Sequence, residues 1–95
     1  MKRETDYLLK YVRNDTYQKM LKKNHDYMIE NIVDNRVDVD LNIRYLLRYG
    51  VKTIDLVGLE RLDDLLLSHN DFIKKINDYE DKLTKSGVID MLENS

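Results

Sequence analysis

At 95 residues with 42% hydrophobic content, the chain supplies one domain with a single core and has no room for a second. It contains no cysteine, which excludes disulfides and thiolate metal sites and permits a reducing compartment; no apolar run approaches the roughly 20 residues that span a bilayer. The formal net charge of −2 is unevenly spread: Met1 to Asn24 holds seven basic residues against three acidic ones, a net of +4, and His25 to Ser95 holds nine against fifteen, a net of −6.

Alanine, proline, tryptophan and cysteine are absent, and Asn, Asp, Lys, Ile and Tyr abound. Their codons are mostly AT-rich, which points to a low-GC bacterium, or to a phage or mobile element within one. Without alanine, helix formation rests on Leu, Lys, Arg, Glu and packing, so short helices held by tertiary contacts are expected. Lys2 and Arg3 resemble the start of a signal peptide, but the apolar part that follows is only a few residues long and contains Lys10. The expected location is therefore the cytoplasm.

Thr5 is placed to cap a short helix with Leu8, Leu9 and Val12 inward. Asn14-Asp15-Thr16 then breaks the chain. From Thr16 to about Asp34, Tyr17, Leu21, His25, Met28, Ile29 and Ile32 share one arc, which predicts an amphipathic helix. Arg36 to Ile43 alternates like a strand, but no second alternating run exists to pair with it. An extended linker through Val39 is expected instead, followed by a helix over Leu41 to Tyr49 capped by Asp38 or Asp40 and stopped by Gly50.

Thr53 to Leu67 is the most leucine-dense stretch. At about 100° per residue, Ile54, Gly58, Leu59, Leu62, Leu65 and Leu66 fill one arc, and Leu56 and Leu67 fall outside it. A helix with apolar residues on both its main face and its back predicts a central element, touched from two sides. Ser68 and Asp71 approximate a capping box for a helix from His69 to about Thr84, with Phe72, Ile73, Ile76, Tyr79 and Leu83 inward. Ser86-Gly87 should end it, and Val88 to Leu92 should return to the core. The fold class is all-α: a small single-domain bundle of about five short helices spanning residues 1–95.

Tyr7-Leu8-Leu9-Lys10-Tyr11 returns as Tyr45-Leu46-Leu47-Arg48-Tyr49, and His25-Asp26-Tyr27-Met28 resembles His69-Asn70-Asp71-Phe72-Ile73. Two duplicated helical-hairpin units, over 5–35 and 41–84, would account for this, as would chance likeness between helices built from the same few residue types. The Leu-x-x-x-Gly spacing of Leu46 to Gly50 also resembles the helical repeats of mitochondrial transcription terminators. It covers barely one unit and lacks their usual proline.

No residue set specifies a chemistry. Asp38-Val39-Asp40-Leu41-Asn42 opens like a calcium loop, but Ile43 and Tyr49 stand where that loop needs glycine and glutamate. His25 and His69, each near an aspartate, are explained by packing and capping. The three glycines are scattered, so no phosphate loop exists. No catalytic, cofactor or metal residues are assigned. The expectation is a non-enzymatic interaction module or small regulator that binds a protein partner or itself through Leu56, Leu59, Leu66 and Leu67. The alternative is a nucleic-acid-binding regulator using Lys10, Tyr11, Arg13, Lys19, Lys22 and Lys23. No membrane association is expected.

Overall fold

The computed structural model describes residues 4–94, and every element among them is a helix. A 3-10 helix, η1 (Glu4–Lys10), precedes α1 (Asn14–Lys23), α2 (Asp26–Asp34), α3 (Arg36–Tyr49), α4 (Asp55–Glu60), α5 (Leu62–Leu65) and α6 (His69–Asn94). The all-α class holds, and no helix of the described residues is long and apolar enough to cross a membrane.

η1 does not start at a Thr5 cap. Its three-residue period places Thr5 and Leu8 in the core and turns Leu9 outward. Buried Thr5 needs a partner and finds the Tyr17 hydroxyl at 2.7 Å. That hydroxyl donates to Asp6 at 2.7 Å, so Thr5 is the donor of its own bond.

With no proline and few glycines, the chain makes two of its helix breaks with asparagine. The single helix expected over residues 16–34 is broken at Asn24, whose backbone turns extended and whose side-chain amide donates to the Met20 carbonyl at 2.7 Å. Asn35 repeats the device on the Asn31 carbonyl at 2.9 Å. Each amide adds a second bond to a carbonyl that already accepts the same asparagine's backbone N–H, which ties the residue to the helix end. His25, expected in the apolar arc, is thereby moved to the exposed position before α2. Tyr17, Met20 and Ile32 are the core residues of this region.

The linker expected before residue 40 is absent. α3 begins at Arg36, and Val39, Asn42, Ile43 and Leu46 face the core at helical spacing. The period is hidden in the sequence because one of its members is polar. Asn42 is 0% exposed and fully bonded: Nδ2 donates to the Leu65 carbonyl at 3.0 Å and the Leu67 carbonyl at 2.9 Å, and Oδ1 lies 2.8 Å from His69 Nδ1. Since Oδ1 can only accept, the proton of that bond sits on His69 Nδ1. Asp38 caps a helix, but not its own. It accepts the His69 backbone N–H at 3.2 Å, at the start of α6.

The leucine-dense stretch is central, as two helices rather than one. Arg61, at φ −133 and ψ 35, separates α4 from α5. α4 packs on α1 and α6, and α5 on α3 and α6. The break moves the register, so that Val57 is buried with Ile54, Leu62 and Leu65. Arg61 lies over the Tyr79 ring at 5.8 Å, and the Tyr79 hydroxyl donates to Asp64 at 2.8 Å, so α6 braces the break. Gly58 lets α1 approach: a Cβ there would sit 2.9 Å from Met20 Sδ.

Gly50 stops α3 as expected. At φ 121 it lets its own N–H and that of Val51 bond the Leu46 carbonyl, at 3.1 and 3.0 Å. Ser68 marks the start of α6, with its hydroxyl 3.4 Å from the Asp71 N–H. Tyr45 joins α3 to α6, edge-on to Phe72 and to His69 at 6.1 Å each. α6 bends at Thr84 (φ 65, ψ 168), two residues before the expected Ser86-Gly87 break. The bend turns Leu83 outward and returns Val88 and Leu92 to the core. The two Tyr-Leu-Leu copies lie in unlike elements, η1 and the end of α3, although each buries its first leucine and exposes its second.

Asn42→Leu keeps the volume but strands two carbonyls and the His69 N–H; chemical denaturation should show a loss of about 3 kcal/mol. Thr84→Gly should raise stability by about 1 kcal/mol in the same assay, because a β-branched residue at positive φ stores strain that glycine lacks.

Candidate functional site

The four leucines singled out for partner binding are only half-exposed. Leu59, Leu66 and Leu67 pack against the core, and Leu56 is likewise of intermediate burial. Residues 53–67 are folded inward by the break at Arg61, and the apolar patch that exposed Leu56 and Leu67 would have formed is not among the strongly exposed apolar residues.

The basic N-terminal residues are distributed over several partners. Lys10 lies 3.9 Å from Asp40, Arg13 Nε 3.1 Å from Asp55, and Lys23 3.7 Å from Glu60 and 2.7 Å from the Leu59 carbonyl. The Tyr11 hydroxyl donates to Asp40. Lys19 and Lys22 are exposed on α1. The charge asymmetry between the two parts of the chain is thus partly satisfied within the molecule, by exposed pairs that each contribute little.

The Arg13–Asp55 contact is the most elaborate of these. Asp55 accepts the Arg13 backbone N–H at 3.0 Å, its guanidinium Nε–H at 3.1 Å and the Thr53 hydroxyl at 3.2 Å. Burial alone would raise the carboxyl pKa. The bonds from Arg13, Thr53 and Thr16 and the Arg13 charge outweigh it and hold the group below its ordinary value. On α6, burial and the bond to Asp64 push the Tyr79 phenol up to about 12.

The strongest exposed apolar feature spans the expected linker at Val37 and the start of the expected helix at Leu41. Val37 is 73% exposed and Leu41 39%, and as residues i and i+4 of α3 they form one outward stripe. They line a cleft of about 290 Å³ with Tyr7, Lys10, Arg36 and Asp40. The Tyr7 hydroxyl donates to the Ile32 carbonyl at 2.8 Å, which fixes the cleft wall. Arg44 and Arg48 continue the exposed face one and two turns on. Asp40 contributes a carboxylate that is bonded to Tyr11 and paired with Lys10 and with Arg44 at 3.6 Å. The signal that could have found this face is the i, i+4 pair of Val37 and Leu41 set between arginines.

A second cleft, of about 460 Å³, is lined by Lys23, Asn24, His25, Tyr27, Met28, Asp63 and Leu66. The His25 and Tyr27 rings stack there at 5.9 Å, and Tyr27 is 61% exposed. His69 lies elsewhere, bonded to Asn42, so the two imidazoles are not brought together. No group of three or more metal-binding side chains occurs among the described residues.

Asp55→Asn should be less stable than the parent at pH 7, and the gap should close as the pH falls below about 4. The sign follows from the lowered carboxyl pKa: the charged form is favoured in the folded state, so its contribution is present above the unfolded-state value and lost on acidification. Melting temperatures across a pH series measure it. Comparison of the chain with protein-family models, curated proteins and solved structures gave no match.

Proposed function

We propose that this protein is a non-enzymatic interaction module, a small regulator that binds another protein or a second copy of itself through the outer face of α3. The supporting observation is the exposure of Val37 beside Leu41 over a cleft, in a chain that buries its other valines in part or whole. Leaving a valine so wetted forgoes its burial energy, on the order of 1.5 kcal/mol or more, which a covering surface would recover. The half-buried Leu56, Leu59, Leu66 and Leu67 are better accounted for as core edge. A duplicated-hairpin origin would fit the matching burial of the two Tyr-Leu-Leu sequences.

Nucleic-acid binding by the N-terminal basic segment has less support, because Lys10, Arg13 and Lys23 have carboxylate partners in the fold, which leaves Lys19 and Lys22 as the segment's described cations outside an ion pair. An origin in a phage or mobile element remains part of the proposal on composition.

The test compares the parent with Val37→Glu/Leu41→Glu. Both positions are exposed, so the melting temperature should change little. Affinity capture from native lysate, with light scattering of the purified chain, should show a bound species or an oligomer that the double variant loses. Identical capture profiles and a monomer in both forms would overturn the proposal.

A further inference from the structure

We infer that the groove on the outer face of α3 receives an acidic amphipathic segment of a protein partner, with one aliphatic side chain seated between Val37 and Leu41 and carboxylates set against the surrounding cations. The inference rests on the interaction-module reading and specifies its partner.

Charge is the first observation. Lys10, Arg36, Arg44 and Arg48 are all exposed around the Val37–Leu41 stripe, and Asp40 is the carboxylate that lines the cleft with Lys10 and Arg36. Asp40 is already bonded to Tyr11 and flanked by Lys10 and Arg44. No ion pair among the described residues holds Arg36 or Arg48. The mouth of the groove therefore carries net positive charge on a protein whose net charge is −2. An approaching anion is drawn to this face and repelled by much of the remainder.

Shape is the second. A cleft of about 290 Å³ holds one or two side chains rather than a small-molecule ligand buried on all sides. Its apolar members lie one helical turn apart, the spacing that matches aliphatic anchors at i and i+3 or i+4 on a docking helix. Arginines beside the stripe suit bidentate pairing with carboxylates.

The same cations would attract phosphate, but the centre of the face argues against a nucleic acid. Val37 and Leu41 stand where the backbone would run, and covering them would strip water from phosphates without supplying donors. A peptide that alternates aliphatic and acidic residues meets both parts of the surface.

The probe is a fluorescent peptide of about 16 residues, long enough to hold a helix, with leucines at i, i+3, i+4 and i+7 and glutamates on the flanks. Binding is read by anisotropy at about 50 mM salt, where charge is weakly screened. The acidic peptide should bind at least tenfold tighter than its Glu-to-Gln counterpart, and binding should weaken about tenfold in Arg36→Gln/Arg48→Gln and in Val37→Ser/Leu41→Ser. Added salt should weaken it further. Equal affinity for the neutral peptide, or indifference to the arginine variant, would overturn the acidic preference. If Val37→Ser/Leu41→Ser still weakened binding about tenfold in that case, the interaction surface itself would stand. Tighter binding of a single-stranded oligonucleotide than of the peptide would overturn the inference in favour of nucleic acid. A dimer that Val37→Glu/Leu41→Glu dissolves would overturn it by assigning the groove to a second copy.

Discussion

The fold depends on one desolvated amide. Asn42 lies within the apolar face of α3, and its side chain satisfies the Leu65 carbonyl at the end of α5, the Leu67 carbonyl just beyond it and one ring nitrogen at the start of α6. A polar group so placed is costly unless every bond is made, and each of its bonds reaches the short connection between α5 and α6. Asp38, one turn earlier, accepts from the same connection. α3 thus fixes where the leucine-dense stretch ends and where α6 begins. Hydrophobic contact alone could let α5 slide on α3; three directional bonds from one buried residue select a single register.

Composition made parts of this architecture legible and concealed others. Gly50, Ser68 and the 3.6-residue pattern of Phe72 and Ile76 follow familiar rules, and the elements they mark appear where those rules place them. Helix ends made by Asn24 and Asn35 carry a weaker signal, since asparagine is abundant here and an amide that folds back on a carbonyl four residues earlier depends on the local turn. The helical period of α3 was masked for a different reason. Its inward set includes a polar residue, and the bonds that make Asn42 tolerable come from residues 65–69, more than twenty positions away.

The candidate docking face was concealed by the same segment. Val37 and Leu41 read as half of a strand-like alternation, and only once residues 36–49 are helical do they fall together on the solvent side with Arg44 and Arg48. The leucines of α4 and α5 read as a single two-sided helix in the sequence. Their arrangement around Arg61 draws them inward, and the Arg61 and Tyr79 contact that accompanies the break joins residues eighteen apart. Density of apolar residues marks the centre of the molecule, not its most exposed apolar face.

The elbow at Thr84 governs how the chain ends. A straight α6 of 26 residues would run about 39 Å, and its last apolar side chains would point away from their own globule. Folding back buries Val88 and Leu92, on the order of 4 kcal/mol together, against a distortion of roughly 1–3 kcal/mol at Thr84. Closure wins in dilute solution. The margin is narrow, so the segment after Thr84 is the part of the globule released at least cost, ahead of the core helices.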